Sequence, residues 1–190
     1  SKNYLVYDVK SVIFEKMNKP IDHQIKHTNI KGKDYVYVVD SDGNTNIVGR
    51  NGKKRTDIRK IPIKSSYYID KKDGSIYTSD KSGNIWLTTL KGSQTKIKTS
   101  ELESFSFFAS NFNNDDLMDL FISDDSGVKC YNLESEILDF NVQNESDPKV
   151  FKFNNRSIIG FSSEGSCYLF DSQGKAFSGS PLFGGGDFEF

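Results

Sequence analysis

The sequence predicts an all-β fold built from a repeated unit of about 40 residues. Four segments align without gaps, and their first turn glycines are spaced 40, 44 and 38 residues apart: Gly43, Gly83, Gly127 and Gly165. Nine residues after each comes a second turn position, occupied by glycine in three of the four: Gly52, Gly92, Glu136 and Gly174. The sequence shows no sustained i, i+3, i+4, i+7 apolar pattern of an amphipathic helix. Two linked turn positions that recur together mark a structural repeat.

Each repeat predicts four short strands. An apolar or alternating run such as Tyr35–Val39 leads into an Asp-, Ser- and Gly-rich turn, and a second run such as Ile85–Leu87 follows that turn. Glycine suits the turn because it adopts positive φ at little cost. Further strand-like stretches stand before and after, such as Phe105–Phe108 and Thr95–Lys98. Four short strands per ~40 residues are typical of the blade of a β-propeller.

The repeat divides the chain into expected blades. We expect residues 1–190 to form one β-propeller of about five four-stranded antiparallel blades, or a fragment of a larger propeller. The expected blade units are 4–27, 28–62, 63–100, 101–146 and 147–183. Residues 184–190 would then supply the first strand of a closing or next blade. The first unit lacks a first strand and takes Ile21–Ile25 as its fourth. This division fits a closed ring and a cut through a larger propeller equally well.

Composition excludes some classes of protein. Hydrophobic residues make up 35% of the chain and aromatic ones 13%, which is too apolar for a disordered chain. The 25 basic and 26 acidic residues give a formal net charge of −1, without the clustered basic excess of a nucleic-acid binder. No apolar run approaches the ~18 residues that a bilayer span needs. We therefore expect neither a nucleic-acid partner nor a membrane span.

The most specific motif lies in residues 105–123. Asn or Asp occupies positions one, three, five and nine of a loop that starts at Asn111, and the apolar run Leu120–Ile122 follows. This stretch resembles one repeat of the FG-GAP and VCBS class of extracellular β-propellers, and Phe183-Gly184 resembles the Phe-Gly pair that opens such repeats. The resemblance implies a secreted or surface protein (extracellular, periplasmic or on the cell surface) that binds a protein or a carbohydrate.

The same loop is a candidate calcium site. The ligands would be the side chains of Asn111, Asn113, Asp115 and Asp119 and the main-chain carbonyl of Leu117. Asn111 replaces the leading Asp of the family form, and Asp116 stands where the sharp turn usually has Gly. Only two carboxylates remain, so we expect weak Ca²⁺ binding. The alternative is an Asx-rich turn that is capped by its own side chains.

No catalytic residues are predicted. A serine nucleophile needs a positioned base, but the sequence has no Gly-x-Ser-x-Gly motif, and its two histidines, His23 and His27, fall in one predicted strand. The pairs Asp115-Asp116 and Asp124-Asp125 fall in turns, where solvated acids are expected. The leading hypothesis is a non-enzymatic interaction module. The alternative is the scaffold portion of a larger carbohydrate-active or redox β-propeller enzyme.

Cysteines and third-strand aromatics complete the sequence-based expectations. Cys130 and Cys167 fall on equivalent strands of different blades, and their side chains are expected on opposite faces of those strands. We therefore expect them to stay unpaired. Trp86, Tyr131 and Tyr168 fall in third strands, where we expect them to pack between blades. The alternative for these rings is an exposed platform for a sugar or a protein.

Overall fold

The computed structural model describes residues 19–99, 105–124, 126–133, 135–142, 148–154 and 156–184. In these residues the chain forms four antiparallel sheets, and within each sheet every strand is hydrogen-bonded to its neighbours in sequence. We number these sheets blades I to IV. Residues 4–18 of the first expected blade unit and residues 185–190 of the expected closing strand lie outside the described residues.

The strands are short and follow one another through hairpins. Blade I consists of β1 (Lys26–Ile30), β2 (Lys33–Val39) and β3 (Thr45–Val48). Blade II consists of β4 (Tyr67–Ile69), β5 (Ile76–Ser79), β6 (Asn84–Thr88) and β7 (Gln94–Thr99). Blade III consists of β8 (Ser106–Ser110), β9 (Asp119–Asp124), β10 (Gly127–Tyr131) and β11 (Glu136–Asp139). Blade IV consists of β12 (Lys149–Phe153), β13 (Arg156–Ser163), β14 (Ser166–Asp171) and β15 (Leu182–Phe183).

An aspartate closes the turn between the second and third strands of blades I and II. In blade I, Asp40 accepts hydrogen bonds from the backbone N–H of Asn44 at 2.9 Å and from its side-chain amide at 2.8 Å. In blade II, Asp80 accepts the same two bonds from Asn84 and a third from the indole N–H of Trp86 at 2.8 Å. Partial burial raises the pKa of Asp80, but the bonds from Asn84 and Trp86 outweigh that effect and hold it below its ordinary value. The carboxylate therefore stays charged and bonds the turn strongly.

The core lies between consecutive blades. Three clusters of buried side chains join blade I to II, II to III and III to IV. In β5, Ile76 packs with Tyr37 of blade I, whereas the next residue, Tyr77, packs with Phe107 of blade III. Successive side chains of a strand point to opposite faces, so a blade with neighbours on both sides buries both faces. This explains why the second strands β2, β5, β9 and β13 are buried along much of their length, and it stacks the blades as in a propeller.

Blade I departs from the predicted four-stranded pattern. In place of a fourth strand, residues 49–63 make isolated bridges, such as that between Val48 and Lys54. The bridges Val48–Lys54 and Asn44–Lys60 are four residues apart on the side of β3 but six apart in the segment, so two extra residues interrupt the ladder. The segment still contributes to the core, because Ile58 and Ile61 are buried against blade II.

Two further strands differ from expectation. The strand expected at Ile21–Ile25 is wrong: these residues join no ladder, and β1 begins only at Lys26. In blade IV the fourth strand does not follow directly after the turn at Gly174, where Ala176 makes only an isolated bridge. Its place is taken by the two-residue β15, which pairs with Ser166 and Cys167 of β14.

Cys130 and Cys167 are both free thiols and both buried, one in blade III and one in blade IV. Burial raises the pKa of the Cys130 thiol, which suits a structural side chain rather than a reactive one.

Packing is confirmed for two third-strand aromatics, because Tyr131 and Tyr168 lie against core clusters. Trp86 has a different role, since its indole closes the turn at Asp80.

Candidate functional site

The first strands of the four blades, with the segments beside them, border a cavity of about 770 Å³. Each of these strands is an edge strand of its sheet, so the cavity lies where the blades converge. Ligand-binding cavities commonly have volumes of about 300–1,000 Å³. The wall is formed by Gln24–Thr28 of blade I, Tyr68–Lys72 of blade II, Ala109–Asn111, Asp116 and Met118 of blade III, and Lys152 of blade IV.

The charged side chains of this wall are mostly basic. Four lysines line it, against two aspartates, Asp70 and Asp116, although the whole chain has a formal net charge of −1. One of the four, Lys26, is held against the protein. Its Nζ donates a hydrogen bond to the main-chain carbonyl of Tyr67 and lies 4.6 Å from the centre of the Tyr68 ring. This cation–π contact fixes a positive charge on the cavity wall.

Two more lysines make contacts across blade boundaries. Nζ of Lys72 lies 3.6 Å from a carboxylate oxygen of Asp116, and both side chains are mostly exposed. Nζ of Lys152 donates a hydrogen bond of 2.7 Å to the side-chain oxygen of Asn114. Exposed pairs of this kind contribute only about 0–1 kcal/mol each. A ligand can therefore replace them at small cost.

Asp70 lies deeper in the wall than Asp116. Its carboxylate accepts a hydrogen bond of 2.8 Å from the backbone N–H of Lys72. Burial raises the pKa of Asp70, although this hydrogen bond opposes the shift. Asp70 is half-buried, and charges interact more strongly in a half-buried site than in open water.

The predicted calcium loop flanks the cavity, and the structure brings three of its side chains together. The amide nitrogen of Asn113 donates to Oδ2 of Asp115 at 3.0 Å and to Oδ1 of Asp119 at 3.3 Å. Asp115 in turn accepts the backbone N–H of Leu117 at 2.8 Å. These bonds within the loop are those of an Asx-rich turn. The side chain of Leu117 is exposed. This is compatible with the expected role of Leu117, in which only its main-chain carbonyl binds the ion.

Asp119 anchors this loop from the start of β9. It is 1% exposed, and one carboxylate oxygen accepts the backbone N–H groups of Phe112 at 2.8 Å and Asn113 at 3.1 Å. Burial raises the pKa of Asp119, and the negative charge of Asp115 adds to the rise, while the two backbone bonds oppose it. The two carboxylates therefore repel each other, and a cation between them would relieve that repulsion.

The donor set fits a hard cation in part. Oδ1 of Asn111 is buried, and no hydrogen-bond donor within the described residues reaches it, so an oxygen acceptor stands unused beside the loop. Against this, the Asn113 amide donates from its nitrogen into the space between Asp115 and Asp119 and would have to turn to offer its oxygen. Over the same residues, no three His, Cys, Asp or Glu side chains gather as a metal-binding group.

The two histidines lie apart. His27, in β1, places its Nε2 3.0 Å from Oδ1 of Asp34 in β2. The bonds from Asn29 and His27, together with the charge of Arg50, keep the pKa of Asp34 below its ordinary value. His23 lies outside β1 and packs its ring edge against Tyr67. The expectation of one strand carrying both histidines is therefore wrong.

The paired acids of the sequence lie in turns. Asp115 and Asp116 are exposed in the calcium loop. Asp124 accepts the backbone N–H of Ser126 at 2.7 Å, and Asp125 lies outside the described residues.

In the parts of the chain described above, no helix has the length and apolar character to cross a bilayer.

Comparison with solved structures decides the fold. The chain matches a structure described as "Crystal structure of BBS1N in complex with ARL6DN, soaked with lead", with a TM-score of 0.51 and 12% sequence identity. The likeness covers 93% of this chain and 59% of that one, so the chain spans about three fifths of the structure it matches. The fold is a β-propeller. At this identity the likeness shows the fold alone.

No protein-family model matches the chain, and no curated protein matches it. The resemblance of residues 105–123 to the FG-GAP and VCBS repeats therefore stays a prediction. The propeller arrangement itself is confirmed, with blades II to IV four-stranded and blade I three-stranded.

Sequence reasoning missed the lysine-lined cavity. Its lysines are far apart in sequence, at Lys26, Lys72 and Lys152, and only the convergence of the blades brings them to one wall. One signal was present: the loop Asp70–Asp73 carries two lysines at the place where a calcium-binding repeat would carry Asp or Asn.

Proposed function

We propose that the chain is a non-enzymatic interaction module of a secreted or surface protein, and that it binds a protein or a carbohydrate in the cavity between the blades. The observation that carries this proposal is the convergence of four first strands on one cavity with charged, aromatic and apolar walls. Such a mixture of a few polar groups with apolar surface is typical of binding sites. The description of the matched structure as a complex of BBS1N with ARL6DN supports a binding role for this fold.

A second candidate is the scaffold portion of a larger carbohydrate-active or redox propeller enzyme. Turnover of a carbohydrate or a redox substrate by a longer protein containing this chain would support this candidate over the first.

A pair of matched isoleucine variants tests the binding site. Ile25 lines the cavity and Ile21 does not, although their side chains are similarly exposed, at 55% and 47%. We expect the purified chain to bind members of a peptide or glycan array saturably. Ile25→Ser should weaken that binding about fivefold or more, because it removes apolar contact with the ligand.

Ile21→Ser is the control and should leave the affinity unchanged. Titration of the strongest array ligands by fluorescence anisotropy gives the two dissociation constants. Equal affinities for both variants and the parent chain would place the binding site elsewhere on the molecule and contradict the proposal.

The proposal also includes a weak calcium site in the loop 111–119. The residues that would hold the ion are Asn111, Asn113, Asp115 and Asp119, with the carbonyl of Leu117. The repulsion between the two carboxylates and the unused oxygen of Asn111 support it. The ion would hold the loop beside the cavity, since Asn111 and Asp116 also line the cavity wall.

Calcium should raise the thermal midpoint of unfolding. Sites of low charge bind Ca²⁺ at roughly 10⁻⁴–10⁻³ M, so ~10 mM Ca²⁺ should stabilise the chain by about 1.4–2.7 kcal/mol. For a chain of this size that corresponds to a rise of about 3–10 °C. Asp115→Ala should abolish the rise, whereas Asp116→Asn removes the same charge from the same loop and should keep it. Differential scanning fluorimetry with and without calcium measures both, and equal shifts in the two variants would rule out this ligand set.

A further inference from the structure

The lysines of the cavity wall come from three of the four blades. Lys26 belongs to blade I, Lys71 and Lys72 follow the first strand of blade II, and Lys152 belongs to blade IV. Lys26, Lys72 and Lys152 each contact a different protein group. A ligand that carries several negative charges along its length can pair with lysines of all three blades.

The wall also argues against a uniform polyanion. Asp70 and Asp116 lie among the lysines and would repel an unbroken row of phosphates or sulfates. A peptide carries acidic side chains at intervals, with neutral residues and main-chain N–H groups between them.

We propose that the cavity binds an acidic, extended segment of a partner protein, whose carboxylates pair with the lysines of blades I, II and IV. This inference rests on the proposed function and names the ligand class of its site. The apolar side chains of Ile25 and Met118 lie in the same wall and contact the neutral residues of the segment. Charge complementarity of this kind speeds association and selects the partner.

A labelled peptide provides the test. The probe is a fluorescein-labelled 12-residue peptide of alternating Glu, Asp, Gly and Ser, and its neutral counterpart has Gln and Asn in place of the acids. Fluorescence anisotropy should show the acidic peptide binding at least about tenfold more tightly than the neutral one, and more weakly as salt rises.

Two double variants separate the cavity from overall charge. Lys71→Glu/Lys72→Glu reverses two exposed charges of the cavity wall, and Lys53→Glu/Lys54→Glu reverses two exposed neighbouring charges outside it. Both change the net charge equally. We expect the first to weaken binding of the acidic peptide by about tenfold or more, and the second by less than about twofold.

The outcomes distinguish this inference from the function on which it rests. Equal effects of the two double variants, or equal binding of the acidic and neutral peptides, would overturn the acidic-peptide assignment. Binding of an anionic polysaccharide such as alginate in place of the peptide would overturn it too. In each of these cases, the proposed interaction module would still be supported by a ligand that binds Ile25→Ser more weakly than the parent chain but binds Ile21→Ser as tightly. Absence of any such ligand would overturn both.

Discussion

Replacement of Phe140 by alanine should lower the free energy of unfolding by about 3–5 kcal/mol. Phe140 follows β11 and is 5% exposed in the cluster between blades III and IV. Its ring centre lies 5.0 Å from that of Phe161 and 5.1 Å from that of Phe170, both in blade IV. On the side of blade III it lies 6.3 Å from Phe121. Removal of the ring would leave a cavity at the junction and withdraw contacts from both blades.

Urea unfolding followed by circular dichroism measures this loss. Phe153→Ala is the matched control, because Phe153 is 67% exposed and its replacement should cost less than about 1 kcal/mol. A loss at Phe140 no larger than the loss at Phe153 would contradict the packing of blade III against blade IV.

Gly43→Ala should cost about 3 kcal/mol or more. Gly43 has a φ of 84°, and a Cβ built on it would lie 2.2 Å from the carbonyl oxygen of Ile61. The positive φ alone costs roughly 1–2 kcal/mol for an L-residue. The contact adds to this, because the backbone N–H of Ile61 bonds to the Gly43 carbonyl at 2.9 Å and the whole segment would have to move. Ile61 is 1% exposed, so that movement disturbs the core between blades I and II.

Gly165→Ala is the natural comparison, since Gly165 occupies the equivalent turn of blade IV. Its φ is 71°, and a Cβ there would meet nothing within 4 Å. Only the roughly 1–2 kcal/mol of backbone strain is expected. Chemical denaturation of the two variants measures the loss in free energy of unfolding for each. Equal losses would contradict the close contact between Ile61 and the turn of blade I.

The turn glycines made the repeat predictable because their role is local. Gly43, Gly83 and Gly165 adopt positive φ in hairpins whose strands adjoin them in sequence, so spacing alone locates the blades. The residues that interrupt the pattern were harder to predict. Ile21–Ile25 has the composition of a strand, but a strand requires a hydrogen-bonded neighbour, and composition does not reveal whether one is in place. Within 49–63 the repeat predicted a strand, but two extra residues between Lys54 and Lys60 interrupt the ladder, and spacing between turn glycines does not reveal them.

The candidate site was predictable only where its residues are close in sequence. Asn113, Asp115 and Asp119 fall within one loop, and the structure joins them by hydrogen bonds. The cavity depends instead on residues as distant as Lys26 and Lys152, which meet only after four sheets have stacked. Periodicity describes the interior of each blade, whereas the surface shared by all of them depends on the tertiary arrangement.

The hairpin order within each blade has a consequence for how the chain reaches this fold. Every strand pairs with the strand just before or after it, so the loops that must close are short, even for the pairing of Ser166 with Phe183 in blade IV. The entropy of loop closure rises slowly, by about 0.6 kcal/mol for each doubling of loop length. Each blade can therefore form from its own stretch of chain as that stretch leaves the ribosome. The hydrophobic face of a blade stays exposed only until the next blade is synthesised and packs against it. This shortens the time during which unpaired strands could aggregate.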